Sequence, residues 1–355
     1  MKRKKNFLFG RNLVNGSAGG AVIIAEAGIN HDGHFDKARK LIDAAAAARC
    51  TCVKFQTFKT EKHMSVHSIA SSYITEGSRK GESFFQLAKR LELGYAEQRE
   101  LFKYANSIGL PWISSFFDED SLDFLVELGV PVLKIASGEM TNAPLLRKAA
   151  KTKIPLILST GMAKLAEIAE AYSLLKSEGA REIFLMHCVS WYPASIDDMN
   201  VNFIDTLLRK FKVPVGLSDH TLGISVALGA RGKGVKFFEK HFTLSKKDFG
   251  PDHSASVEPD ELKLLVSGID EVGRSLGSGV KKITEQENVQ RKVHRKSVIA
   301  KVKIKKGSVI SQKMLEIKRP GYGIPPKQLD DLLGYRALRD IEQDEVIEWK
   351  MLTKG

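Results

Sequence analysis

Residues 214–220 read PVGLSDH. Val215, Gly216 and Leu217 open like a buried strand, yet the segment closes on Ser218, Asp219 and His220. One polar strand end is an ordinary loop. The same ending recurs in AVIIAEAG (21–28), TCVKFQTF (51–58), PWISSFF (111–117), VLKIASGE (132–139), PLILSTG (155–161), EIFLMHCVS (182–190) and KFFEKHFT (236–243). Between these candidate strands lie stretches with helical spacing, such as FDKARKLIDAAAAARC and YAEQRELFKYANSIG. Eight strand–helix alternations over roughly 250 residues predict an α/β fold, a parallel (β/α)8 TIM barrel. A doubly wound sheet also alternates, but it usually has fewer units and a G-x-G-x-x-G turn after its first strand. Here that strand runs into AEAGINHDGHF, which lacks the motif.

The barrel is expected over residues 21–278, after a basic tail at 1–20 whose apolar part, FLF, is too short for a signal peptide. Residues 59–94 form a long gap between the second and third strands and predict an excursion over one barrel face. His63 and His67 stand four apart within it, a weak candidate metal pair. Residues 279–293 read as a polar linker. Residues 294–355 carry short alternating stretches and glycine turns. Within them KIKKGSVI (303–310) and DIEQDEVI (340–347) echo each other, each predicting a strand, a tight turn and a second strand. A small β-rich domain follows, of about 60 residues, near the lower size for a stable core.

The bulk numbers narrow the function classes. No run of about 18 apolar residues occurs, so no membrane span is expected. Cys50 and Cys52 have the wrong spacing for a zinc knuckle or redox dithiol. With Cys188 they fit a reducing, cytoplasmic compartment. The net charge is +13, and residues 281–355 hold 18 Lys and Arg against 10 Asp and Glu, so 18 − 10 = +8 lies there. Positive surface attracts anions in general. No helix-turn-helix or aromatic–arginine platform is present, so nucleic acid is not the expected partner.

In a barrel of this kind the chemistry lies at the C-terminal ends of the strands. Those ends offer Glu26, Lys54 with Gln56, Ser114 and Ser115, Lys134 with Ser137 and Glu139, and Ser159 with Thr160. The later strands add His187, Ser190, Tyr192, Ser218, Asp219, His220, Glu239, Lys240 and His241. Singly, each is more often a structural ion pair or a helix cap. Burying lysines and glutamates together is costly unless they pair or meet a ligand. Lys54 and Lys134, among hydroxyls and helix starts, predict an anchor for phosphate or carboxylate. His220 and His241 end neighbouring strands and predict two ligands for Mn, Fe, Co or Zn, with positions left open for a Lewis-acid role.

The motifs AEAGINHDG, VKFQTF, KIASGE, LSTGM, HCVSWYP, GLSDHT, EKHFT and GPDHSASVEP resemble, in order and spacing, the sialic acid synthase family. RKSVIA and IKRPGYGI resemble the antifreeze-like (SAF) domain of those enzymes. The resemblance covers nearly the whole chain. It implies a metal-dependent condensation of phosphoenolpyruvate with an N-acetylmannosamine-type aldose, giving a nonulosonic acid and phosphate. By position it assigns Lys54, Ser115, Lys134, Ser137, Ser159, Ser190 and Ser218 to phosphoenolpyruvate, with Ser190 standing where some members have asparagine. It assigns Glu26 and Glu139 to the reacting centre, beside Lys54 and Lys134. Gln56, Tyr192, Asp252 and Arg319 fall to the sugar, and His220 and His241 to a divalent metal, manganese first, with magnesium or cobalt as alternatives. Arg319 would come from the partner of a domain-swapped homodimer. Two rivals stand beside this reading. A Schiff-base aldolase would use Lys134 or Lys54 as nucleophile, and the histidine pair argues against it. A non-catalytic anionic-glycan binder would not need Glu26, Lys134, His220 and His241. The acceptor stays open between N-acetylmannosamine, its 6-phosphate and the diacetamido-trideoxyhexoses.

Overall fold

A computed structural model describes residues 20–354, so the basic tail read at 1–20 lies almost wholly outside the described residues. The described chain forms two compact units, one reaching Gly277 and the other starting at Ser278. In the first, all eight strands form: β1 (Val22–Gly28), β2 (Cys52–Thr57), β3 (Trp112–Phe116), β4 (Leu133–Ile135), β5 (Leu156–Ser159), β6 (Ile183–His187), β7 (Val215–Asp219) and β8 (Phe237–His241). They pair in chain order, and β8 returns to β1 through Val22↔Phe237 to Glu26↔His241, closing a parallel barrel. That closing pair is what a doubly wound sheet would lack.

Side chains alternate across a strand, so sequence parity decides which face each residue takes. Val22, Ile24, Cys52, Ile113, Val132, Ile157, Phe184, Met186 and Phe237 form one buried cluster, the packed plug of the barrel interior. On the same parity, nearer the C-terminal ends, stand Glu26, Lys54, Ser115, Lys134, Ser159, Glu239 and His241, all buried. Ile23, Ala25, Val53, Phe55, Leu133, Leu158, Leu217 and Phe238 have the opposite parity and belong to the cluster shared with the helices. The outer faces are therefore mostly apolar, with Thr57, Ser114, His187, Asp219 and Lys240 as the polar residues toward the strand ends, while the inner faces turn from apolar to polar along the barrel.

The 59–94 excursion folds into short helices over Thr60–His63, Ser72–Glu76 and Phe84–Leu91. Ser83 and Gln86 cap the last of these reciprocally. Ile74, Leu87 and Leu91 give the excursion its own small core, with Ile29 and Tyr73 against it. The four-apart histidine pair does not form. The first helix ends at His63, whose ring packs 5.0 Å from that of Phe117, and His67 is exposed beyond it.

In the second unit, residues 279–293 hold more structure than a linker. A helix runs over Glu285–His294, capped by Thr284 and Glu287, and buries none of its residues. Two antiparallel pairs follow, β9 (Ser297–Ala300) with β10 (Leu315–Lys318) and β11 (Arg336–Ala337) with β12 (Leu352–Thr353). The echoing segments make tight turns at equivalent positions, Gly307 (φ 81°) and Asp344 (φ 68°). They pair with each other through Ile304↔Ile341, but single bridges replace the expected strand on either side of each turn. Val298, Ala300, Ile304, Ile310, Ile341 and Ile347 lie in this unit's own core.

Candidate active site at the C-terminal end of the barrel

The polar inner ends of the strands enclose a cavity of about 310 Å³. Glu26, Lys54, Gln56, Ser115, Lys134, Ser137, Ser159, Ser190, Tyr192, Ser218, His220, His241 and Asp252 all line it. Ser115 and Ser159 face inward by parity. Ser114 instead meets the Thr57 hydroxyl at 2.7 Å, and Thr160 donates to the Met186 carbonyl. Within 218–220, Ser218 and His220 enter the cavity. Asp219 points away, accepting from the buried Lys240 ammonium at 2.9 Å and from Thr221. His187 is likewise structural, 2.6 Å from the Met199 carbonyl.

One expected residue stands outside the lining. Glu139 does not line the cavity. The tight turn Ser137–Glu139 leaves Ser137 and Gly138 facing inward and swings Glu139 toward Asn142, which donates to it at 2.7 Å. Arg319 follows β10 in the second unit and is exposed.

The cavity floor is a ladder of opposite charges. The Lys54 ammonium lies 2.8 Å from Glu26 Oε1 and donates to Ser115 Oγ at 3.0 Å. Lys134 donates to both oxygens of Glu239, at 3.0 and 3.1 Å, and Ser218 donates to one of them at 3.0 Å. Glu239, a polar residue at the end of β8, shares its parity with His241, and that is the sequence signal that places it in the cavity. Burial pushes the Glu26 carboxyl up to about 7, with Lys54 pulling the other way. Burial also opposes the Glu239 charge, but Lys134 and Lys54 outweigh it and hold that carboxyl down at about 2. One carboxylate is thus poised for proton transfer and the other is a fixed anion.

His220 and His241 meet with ring centroids 5.4 Å apart, and Tyr192 packs on both. His220 Nδ1 lies 2.6 Å from the Val189 carbonyl, which can only accept, so this nitrogen carries the proton. Burial pushes the His220 pKa down to about 4 and that of His241 well below the usual value, so both rings are neutral. The lone pair on His220 Nε2 then faces Ser218 Oγ at 3.2 Å, a hydroxyl whose proton already goes to Glu239. His241 Nδ1 is buried with no hydrogen-bond partner among the described residues. Two neutral imidazoles with unsatisfied nitrogens fit a divalent cation. A second group, Asp32, Asp248 and His253, brings ligand atoms within 4.8 Å of one another. There the Lys37 ammonium already bonds both carboxylates, so a cation sits among them.

Residues 41–281 match the NeuB family model, and residues 295–353 match the SAF domain. The chain belongs to the NeuB family. The N,N'-diacetyllegionaminic acid synthase of Campylobacter jejuni is 42% identical over 328 residues, covering 92% of this chain and 98% of the relative. The human N-acetylneuraminate-9-phosphate synthase is 36% identical, covering 92% and 90%. A crystal structure of the N-acetylneuraminic acid synthetase of Leptospira borgpetersenii with citrate superimposes with a TM-score of 0.67 at 34% identity, over 76% of this chain and 90% of that one. The chain is an enzyme of this synthase type, with a TIM barrel and a C-terminal SAF domain. No helix among the described residues is long and apolar enough to cross a membrane.

Proposed function

We propose that this NeuB-family enzyme joins phosphoenolpyruvate to the aldehyde carbon of an N-acylated aldose, forming a nonulosonic acid and releasing phosphate. The observation that carries this is the Glu26–Lys54–Glu239–Lys134 ladder lying beside the two neutral histidines. Lys54 and Lys134, with Ser115, Ser137, Ser159, Ser190 and Ser218, hold the phosphate and carboxylate of phosphoenolpyruvate. The double-bond electrons of phosphoenolpyruvate join carbon 3 to the aldehyde carbon, whose carbonyl pair moves to its oxygen as an alkoxide. Glu26 removes one proton from the water that adds at carbon 2, and that proton passes on to the alkoxide. The bond from carbon 2 to the bridging oxygen then breaks, phosphate leaves with the electron pair, and it takes the proton of the carbon-2 hydroxyl as that oxygen becomes the ketone. A divalent metal held by His220 and His241, with manganese preferred, would supply Lewis-acid polarisation of the aldehyde oxygen. Gln56, Tyr192 and Asp252 orient the sugar. Glu139 lies at the end of the Ser137 turn and accepts from Asn142.

The acceptor reading follows from the far wall of the cavity. Met64, Tyr73, Ile74, Phe84, Leu87 and Leu91 from the excursion line it, and the lysines and arginines of the lining are Lys54 and Lys134 alone. Within one subunit's own lining, a phosphate on the remote end of the sugar would find no lysine or arginine beyond those two. A methyl group and a second acetamido group would find apolar contacts, which favours a diacetamido-trideoxyhexose. The name of the Campylobacter jejuni relative supports the same choice. Phosphate release from phosphoenolpyruvate with manganese, measured against all three acceptor types with and without EDTA, tests the whole reading. Release with the trideoxy sugar that EDTA abolishes is the expected result. Release only with the 6-phosphate would overturn the acceptor assignment.

The active form in this reading is a homodimer in which Arg319 of one subunit completes the sugar site of the other. Met162, Ile196, Leu222 and Phe249, on the loops after β5, β6, β7 and β8, are exposed apolar residues on the barrel face that such a partner would cover. Arg319→Ala should cut turnover sharply. Mixing it with an inactive Lys134→Met chain should restore part of the activity, because one hybrid site receives both native residues. No restoration in the mixture would sink the exchange of Arg319 between subunits.

A further inference from the structure

Asp252 reaches the cavity from the loop after β8, and its carboxylate lies 3.5 Å from the unpartnered His241 Nδ1. A loop holds one side chain in place only if its own backbone is held. The next residue, His253, is buried with both ring nitrogens engaged. Nδ1 meets the Thr243 hydroxyl at 2.7 Å, and Nε2 meets Asp32 Oδ1 at 2.9 Å. Asp32 belongs to the loop after β1, in a left-handed conformation with φ 54°. Lys37 bonds Asp32 and also Asp248, which precedes Asp252 in the β8 loop. Burial opposes the Asp32 charge, but His253 and Lys37 outweigh it and hold its pKa below the ordinary value. Asn30 adds a parallel tie, donating to the Phe242 carbonyl and to Ser256 Oγ, which in turn donates to the Asp252 carbonyl. The fit is close: a Cβ on Gly250 would fall 2.8 Å from the His253 ring and 3.1 Å from Asp32 Oδ1.

We propose that the Asp32–His253 clasp is a positioning device that joins the first and last barrel loops and thereby sets Asp252 against His241. The kinetic side of this inference rests on the synthase reading; the mechanical side does not. The test uses His253→Asn and the milder Asp32→Asn in the full chain. Trypsin cleavage after the exposed Lys247 reports opening of the loop. KM values for the acceptor and for phosphoenolpyruvate report the site. Cleavage should quicken in both variants. Acceptor KM should rise about 10-fold or more, the scale of a lost outer partner, with the phosphoenolpyruvate KM and Tm held. In an Asp252→Asn background, His253→Asn should add nothing further to the acceptor KM. Wild-type cleavage and wild-type acceptor KM in both variants would overturn the clasp. So would a drop in Tm that moves both KM values alike. If the wild-type enzyme turned over no acceptor, the synthase reading would fail while the cleavage arm still decided the clasp.

Discussion

One Glu26 oxygen lies 2.8 Å from the Lys54 ammonium, and the other has no hydrogen-bond partner among the described residues. A buried carboxylate with an open oxygen can receive a proton. With its pKa pushed up to about 7 by burial, it does so near neutral pH. Glu26→Gln should lower kcat by about 10²–10⁴ while leaving the fold intact. Acting as a base, Glu26 must be charged, so wild-type turnover should fall about tenfold per unit as pH drops below about 7. The residual rate of the glutamine variant should lack that limb. A pH–rate profile of both proteins checks it.

Lys134 and Glu239 form a buried pair with side chains only 4% exposed. Removing one partner strands the other, so Glu239→Gln or Lys134→Met should cost about 3–5 kcal/mol of stability, read from denaturant unfolding. The Lys54 pKa stands above the lysine value, because Glu239 and Glu26 overcome the opposing effect of burial. A Schiff-base nucleophile must be neutral. Borohydride with pyruvate should therefore leave Lys54 unmodified, and the bidentate hold of Glu239 on the Lys134 ammonium predicts the same there; a stable adduct on either lysine would revive the aldolase reading.

His220 and His241 are neutral and leave ring nitrogens poorly satisfied, a pair that fits a divalent cation. Manganese should raise Tm in proportion to the logarithm of its concentration, and His220→Asn or His241→Asn should abolish that shift. EDTA should remove turnover reversibly. A Tm indifferent to manganese would count against these two residues as ligands.

Glu92 ties the two ends of the excursion to each other. Its carboxylate accepts from the Thr60 N–H at 3.0 Å, the Thr60 hydroxyl at 2.9 Å and Lys59 at 3.0 Å. Burial opposes the charge, yet these bonds outweigh it and hold the pKa down at about 2, against 4.5 ordinarily. A depressed carboxyl stabilises the fold fully above pH 4.5 and loses that contribution as pH falls towards about 2. Glu92→Gln should cost on the order of 2 kcal/mol at pH 7, and the gap from wild type should narrow by pH 3. Thermal unfolding at the two pH values would show it.

Much of this was legible in the linear pattern. The eight apolar runs named the strands, and the period of two sorted Lys54 with Gln56. Parity would also have chosen Ser115 over Ser114 and added Glu239. Glu139 falls outside the cavity lining because a three-residue turn has no sequence period, and one step along it rotates a side chain away. The helix over Glu285–His294 buries nothing, so no apolar stripe marks it in the sequence.

The sequence alone determined the barrel and its polar inner rim, since alternation and helical spacing are local properties that one chain segment carries by itself. Tertiary structure alone decided which charges meet. Glu26 with Lys54, Glu239 with Lys134 and Asp32 with His253 join residues far apart in the chain. Their pKa values arise from the burial and neighbours that barrel closure creates. No local pattern encodes that environment, because each strand supplies only one or two of its groups.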